Sequence, residues 1–248
     1  MSTELLETEN ISAPIASGEG TTTTAHTLRP AQRLYRTAKA IGDFFIALAS
    51  LVVLSPLFLV VAIAIKIDSR GPVFFVQKRI GRGGRLFRCV KFRTMTTSAN
   101  HNVAGYESAE VNSYITRVGH FLRKYSIDEL PQLYNMLTFK MSLIGYRPSQ
   151  PCEYELNDAR EAHNLYQIAP GITGWAQVNG RDILASHPTK KAEFDAYYLR
   201  HFSLWLDIKI FFMTIKTVLL HSDVAEGICT EEEETPETEL PREKEAPV

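Results

Sequence analysis

Cysteine is nearly absent. Three thiols in 248 residues, Cys89, Cys152 and Cys229, are odd in number and widely spaced. That excludes a disulfide framework, offers no zinc-ligand spacing and suits a reducing cytosolic face. Net charge is also missing: 27 Lys and Arg stand against 28 Asp and Glu, so the chain as a whole is no polycation of the nucleic-acid-binding kind. Residues 1–30 hold no basic stretch leading into an apolar one, and so no secretory signal. The glycine-rich stretch Gly81-Arg-Gly-Gly84 lacks the Gly-Lys-Ser/Thr ending of a P-loop. No internal repeat is evident.

What charge there is lies unevenly. Cations cluster over 33–93 and acids at the C-terminus. Residues 1–30, rich in Thr, Ser, Ala, Gly and Glu, read as a disordered tail, and 223–248 as an acidic one. Between them, Arg33, Arg36 and Lys39 precede an apolar run from Phe44 to Ile65, long enough for a bilayer core of about 20 helical residues. Ser55-Pro56 interrupts it, and proline breaks or kinks a helix. Lys66, Arg70, Lys78 and Arg79 follow, so both flanks are basic and both favour the cytoplasmic side. One kinked span and a broken helix that leaves by the leaflet it entered both fit these residues.

Residues 71–95 read as two β-rich runs around a glycine turn, a hairpin carrying seven cations from Lys78 to Arg93 and no acid. They suit anionic headgroups or a diphosphate; the adjoining membrane segment argues against RNA. Residues 96–113 are a polar loop, 116–124 a short amphipathic helix, 153–168 a polar helix and 190–201 another helix. Ser203–Leu220 is a very apolar helix, either core or lying in the membrane interface. Met141–Pro148 ends in a turn with Arg147, and 169–181 gathers Gly, Pro, amides, Trp175 and Arg181 in a loop of ligand-binding or crossing type. The centre is Arg123-Lys-Tyr-Ser-Ile-Asp128-Glu129-Leu-Pro131. Pro131 fits a first helical turn, which sets a helix start near Asp128, and such a start favours anions. The plain alternative is a cap, since Ser126 and Glu129 have capping-box spacing.

Taken in order, these motifs resemble the bacterial sugar transferase family, the monotopic polyprenyl-phosphate phosphoglycosyl transferases. The resemblance covers Arg33 to Leu220. Leu54-Ser55-Pro56-Leu-Phe58 resembles the family's membrane break, Gly71–Gln77 with Lys91–Met95 its hairpin region, and Asp128-Glu129-Leu-Pro-Gln-Leu133 its catalytic dyad. Met141–Gly145 with Arg147-Pro148 resembles its phosphate loop, and Pro170–Arg181 its nucleotide-side loop. Each motif alone is weak; the ordered set is specific.

The resemblance implies an α+β, mainly helical monotopic membrane protein with a re-entrant broken N-terminal helix, a small β-hairpin and interfacial amphipathic helices. Its parts would be tails at 1–30 and 223–248, a membrane-embedded segment at 31–70 and a cytoplasmic catalytic domain at 71–222 on the bacterial inner membrane. It implies transfer of a sugar-1-phosphate from a UDP-sugar to polyprenyl (undecaprenyl) phosphate through a covalent aspartyl-phosphosugar, with release of UMP and the start of a lipid-linked glycan such as an exopolysaccharide or lipopolysaccharide. Asp128 would be the nucleophile and Glu129 its partner. Lys91, Arg123 and Arg147 would surround the phosphates, with Gln177, Asn179 and Arg181 on the nucleotide side. Mg2+ would be held by Asp128 and Glu129, with Asp207 a further candidate. Partners would be the two substrates and inner-membrane lipids, with no nucleic acid; a homodimer is allowed.

Elementary chemistry agrees. An aspartate of ordinary pKa, about 3.9, is ionised near neutrality. It can attack phosphorus and split one hard transfer into two, provided cations offset the repulsion of an anionic diphosphate. Two residues depart from the family pattern: Lys140 stands where an acid is common before Met-Ser-Leu, and Tyr146 where a proline precedes Arg147. Readings from other classes are an idle membrane scaffold and a soluble-substrate glycosyltransferase, which would release UDP.

Overall fold

The computed structural model describes residues 26–97, 113–179 and 187–220. The tails and the polar loop expected over 96–113 lie largely outside them. Helix α1 (Pro30–Val53) runs into α2 (Ser55–Asp68) across a 63° bend. Proline has no N–H, so Pro56 cannot donate to the carbonyl of Val52. The Ser55 hydroxyl donates to it instead, at 2.8 Å. The Ser-Pro pair thus breaks the helix and satisfies the group the break orphans. Among the described residues no single helix is long and apolar enough to cross a membrane, while the bent pair together passes that test. Its surface carries apolar side chains such as Phe45, Val52, Val53, Leu59 and Ile67, all more than half exposed.

Residues 26–29, grouped with the tail by composition, are packed. Leu28 is buried, and the His26 carbonyl accepts from Gln167 Nε2 at 2.6 Å. After α2, Gly71 takes φ 127°, and a Cβ there would lie 2.0 Å from Arg93 Nη1. That guanidinium donates to the carbonyls of Ser69 and Arg70, at 2.7 and 2.6 Å, and ties the end of α2 to the sheet.

The hairpin forms as expected. β1 (Phe74–Ile80) pairs antiparallel with β2 (Leu86–Phe92), in register from Phe74 opposite Phe92 to Ile80 opposite Leu86. A 3-10 turn, Arg82–Gly84, joins them. Side chains alternate along a strand, so Phe87, Cys89 and Lys91 share a face. Phe87 and Cys89 are buried with Ala47 of α1 and with Leu133 and Met136; Lys91 extends that face to the acid pair. Next come α3 (Arg117–Lys124), capped by Thr116 Oγ1 on the N–H of Gly119, and a 3-10 turn, Ile127–Glu129. Helix α4 (Gln132–Leu137) follows, and then β3 (Ser142–Ile144).

The expected polar helix of 153–168 is α5 (Tyr154–Ala162) plus a 3-10 turn, Leu165–Gln167. The glycine-dense segment after it is not wholly loop: β4 (Gly171–Thr173) pairs parallel with β3, and α6 (Trp175–Val178) follows. A Cβ on Gly145 would lie 2.5 Å from the Ala169 carbonyl oxygen, and one on Gly174 1.8 Å from that of Gly145. These glycines therefore serve close backbone approach. Helix α7 (Pro188–Arg200) and helix α8 (Leu204–Leu220) complete the described chain. The core expectation for α8 is met along one face. Leu206 and Ile210 are buried with Tyr198 and Phe202, each such burial stabilising by roughly 1.5–3 kcal/mol. Leu204, Trp205 and Phe212 stand exposed. The architecture is α+β and mainly helical.

Candidate active site

The two acids sit on a tight turn. Ser126 adopts a left-handed conformation, φ 54°, and ends the run of α3; the 3-10 turn then presents Asp128 and Glu129. Neither expectation for this turn holds in detail. The α-helix proper starts at Gln132 with Pro131 just ahead, and no side-chain cap forms at Ser126. The Glu129 carboxylate is engaged elsewhere. Its Oε1 accepts from Lys91 Nζ at 2.9 Å and from Arg147 Nη1 at 2.8 Å, and the glutamate is buried. A cap faces its own helix, whereas this carboxylate joins a strand and a distant loop.

Asp128 is partly exposed beside it. Burial pushes its carboxyl above the usual range; Lys91 pulls it down, Glu129 pushes it up, and Arg123 and Arg147 pull it down again. Arg123, in the last turn of α3, is aimed by its Nε bond to Thr94 Oγ1 at 3.0 Å. The structure thus brings together five expected residues, Lys91, Arg123, Asp128, Glu129 and Arg147. A carboxylate edge with three cations around it can receive a phosphoryl group and hold its oxygens.

Some parts of the site are not visible to motif reading. Arg160 is fully buried, bonded to Asp195 Oδ2 through Nε at 3.1 Å and Nη2 at 2.6 Å. Its Nη1 donates to the carbonyl of Arg147 at 2.9 Å, and it lies over the Tyr146 ring at 5.0 Å. Arg79 Nη1 donates to the next carbonyl, Pro148, at 3.1 Å. The backbone under Arg147 is therefore gripped by two guanidinium groups, and Tyr146, the departure from the family pattern, is the platform for one of them. Lys191 is nearby, pushed down to about 8 by burial first and then by Arg160 and Arg147. Asn135 pins the acid-bearing segment to β2, accepting from Val90 N–H at 3.0 Å and donating to the Arg88 carbonyl at 2.6 Å.

The remaining expected residues lie elsewhere. Gln177 donates to the Ile172 carbonyl and Asn179 to that of Trp175, bonds within their own segment. Trp175 stacks on Tyr197 at 5.0 Å, and Arg181 is outside the described residues. Asp207 accepts from Lys39 Nζ, Tyr35 and Tyr198, each at 2.6 Å, and is not among the charges acting on Asp128. Among the described residues no three His, Cys, Asp or Glu side chains converge as a metal cage. Magnesium commonly binds through one or two carboxylates plus substrate phosphates, and a paired Asp128 and Glu129 fit that mode. With Glu129 already shared between two cations, Asp128 is the freer donor.

The chain is similar to several known proteins. The bacterial sugar transferase family matches residues 34–221. A UDP-N-acetylgalactosamine-undecaprenyl-phosphate N-acetylgalactosaminephosphotransferase of Aeromonas hydrophila is 42% identical over 75% of the chain and 44% of the relative. A UDP-glucose:undecaprenyl-phosphate glucose-1-phosphate transferase of Escherichia coli strain K12 is 39% identical over 75% of the chain and 41% of the relative. The exopolysaccharide production protein ExoY of Sinorhizobium fredii is 39% identical over 72% of the chain and 84% of the relative. The chain thus spans less than half the length of the first two and most of the third.

Proposed function

The chain belongs to the bacterial sugar transferase family, and from that footing we propose that it moves a sugar-1-phosphate from a UDP-sugar to polyprenyl phosphate. The relatives' names carry the substrate class, and exopolysaccharide assembly is the pathway type they suggest. The observation behind the chemistry is the buried Glu129, bonded to both Lys91 and Arg147 beside a partly exposed Asp128.

In the proposed reaction the Asp128 carboxylate attacks the phosphorus that bears the sugar. The bond from that phosphorus to the bridging oxygen breaks, and UMP leaves with the oxygen. An acyl phosphate now joins Asp128 to the phosphosugar. A phosphate oxygen of the polyprenyl phosphate then attacks the same phosphorus, the bond to Asp128 breaks, and the carboxylate is restored. Lys91, Arg123 and Arg147 would hold the phosphoryl oxygens and oppose the rise that burial gives the Asp128 carboxyl. Glu129 fixes Lys91 and Arg147 between the two attacks. Magnesium, when bound, supplies charge neutralisation and polarises the phosphorus–oxygen bonds.

The lipid acceptor requires a site at a bilayer surface. The bent, exposed apolar pair α1–α2 supports a re-entrant placement with both ends on the cytoplasmic side of the inner membrane, and the exposed face of α8 supports an interfacial one. Incubating the protein with a UDP-sugar alone should yield a phosphosugar adduct on Asp128 by mass spectrometry. A panel of UDP-sugars with polyprenyl phosphate, read by UMP release, should identify the donor. Turnover with no adduct after repeated rapid quenching, or release of UDP, would overturn the proposal.

A further inference from the structure

A cavity of about 180 Å3 opens beside the N-terminal half of α1. Arg36 and Lys39 of α1 and Arg82 of the hairpin turn line it, with apolar atoms of Phe139, Ile168 and Phe202. Asp128, Glu129, Lys91 and Arg147 are not part of it. The charges in and behind its wall can be counted. Against the three cations stand Asp43, also in the wall, and Asp207, paired with Lys39 at 2.6 Å. One positive charge is left over. Asp43 is turned to Ser142 Oγ and Lys39, and Lys39 is engaged by both acids. Arg36 gives Nη1 to the Gln167 carbonyl at 3.0 Å, which leaves further N–H donors of its five. Arg82 is exposed between glycines at the turn tip, where it can close over an occupant.

The rim is apolar. Phe139 is 55% exposed and stacks on Phe44, the first residue of the long apolar run, at 5.6 Å. A group of single negative charge that carries hydrocarbon fits these features. A phosphate monoester brings up to two negative charges, whereas a phosphodiester brings one. The geometry points to a site for the phosphodiester headgroup of an anionic phospholipid, its acyl chains leaving over Phe139 and Phe44. The inference rests on the proposed membrane placement of α1 and α2, and not on the chemistry of the acid pair. Such a lipid would fix the depth at which the acid pair meets its acceptor.

The test is native mass spectrometry of the full chain released from detergent, with phosphatidylglycerol, phosphatidylcholine, inorganic phosphate or a short polyprenyl phosphate added. One phosphatidylglycerol should be retained in preference to phosphatidylcholine. Retention should fall about tenfold in Arg82→Glu, a fold-neutral change at an exposed tip, and again in Arg36→Gln combined with Arg82→Gln. Equal retention of the two lipids, or unchanged retention in both variants, overturns the inference. So does displacement by inorganic phosphate, which marks a free-anion site, or one-for-one displacement by polyprenyl phosphate, which marks a substrate site. Flotation with vesicles separates the failures. A chain that floats with any vesicle yet shows no lipid preference loses only this inference. A chain that floats with none loses the membrane placement as well.

Discussion

Glu129→Gln removes one negative charge and almost no volume. The glutamate is buried, and one of its oxygens receives both Lys91, at 2.9 Å, and Arg147, at 2.8 Å. At an effective dielectric of about 20, each contact gains about 5–6 kcal/mol before desolvation. Desolvation takes back most of that, and deleting one partner of a buried pair costs about 3–5 kcal/mol. Lys91 and Arg147 keep 14% and 25% of their side-chain surface in water, which softens the loss. A stability loss of about 2–3 kcal/mol is expected, or about 5–10 °C in Tm for a domain of this size. The chemical effect is separate. Glu129 is one of the groups holding the Asp128 carboxyl above its usual range, so neutralising it moves the acid limb of the rate to lower pH. The rate at the optimum should nevertheless fall about 10²–10³-fold, because the two cations lose the group that aims them. The assay is UMP release per folded molecule over about pH 5 to 9, beside a thermal melt. If Tm drops but the rate per folded molecule stays within about threefold of the parent at every pH, Glu129 is a structural counter-ion and the reasoning fails.

Asp128→Asn should abolish both turnover and phosphosugar labelling while the melt stays near that of the parent; labelling that persists would refute the nucleophile. In the parent protein the proposed attack would need the ionised carboxylate, and burial first of all raises its pKa. Activity should therefore disappear on acidification at a higher pH than an ordinary aspartate of about 3.9 allows, and a limb at or below that value would contradict the geometry. Arg160→Lys keeps a cation for Asp195 but loses the fork that also reaches the Arg147 carbonyl. About a tenfold fall in kcat/KM per folded molecule is expected, and an unchanged value would leave Arg160 a purely structural residue. For the membrane placement, Thr37→Cys and Lys78→Cys sit at exposed positions on the two flanks. Both should react with an impermeant thiol reagent from the same side of sealed vesicles, and opposite-side reaction would end the re-entrant reading.

The elements most legible in the sequence were those with a clear period or a chemical stop. Alternation and a glycine turn marked the hairpin; amphipathic or strongly apolar composition marked α3 and α8; Ser55-Pro56 marked the break. What escaped depends on contacts between distant residues. β3 and β4 are three residues each, too short for alternation to show, and their glycines look like ligand-loop glycines until the backbone approach at Gly145 is seen. Ser126 and Glu129 had capping spacing, but the pull of Lys91 and Arg147 on the carboxylate wins over a cap. Asp207 in an apolar helix reads as a site acid; two tyrosines and Lys39 satisfy it as a buried anchor between α1 and α8. Arg160 and Asp195 lie 35 residues apart, with nothing in either neighbourhood to announce a pair.

The charge count around Asp128 ties the site to its proposed substrates. Asp128 and Glu129 contribute two negative charges; Lys91, Arg123 and Arg147 contribute three positive ones. With both acids ionised, these five side chains therefore carry one positive charge in excess, enough to draw an anion but not to neutralise a diphosphate, which brings two. With the donor seated, the balance falls to one negative charge, held at partly buried groups where uncompensated charge is costly. A divalent cation bound with the donor would offset that deficit, and the substrate phosphates and the Asp128 carboxylate would hold it. In the proposed intermediate, with UMP gone, Lys91, Arg123 and Arg147 would face a phosphosugar of single negative charge on Asp128. Such a site would again attract an anion, which under the proposed function is the lipid phosphate. On this count one set of five side chains would serve both of the proposed attacks.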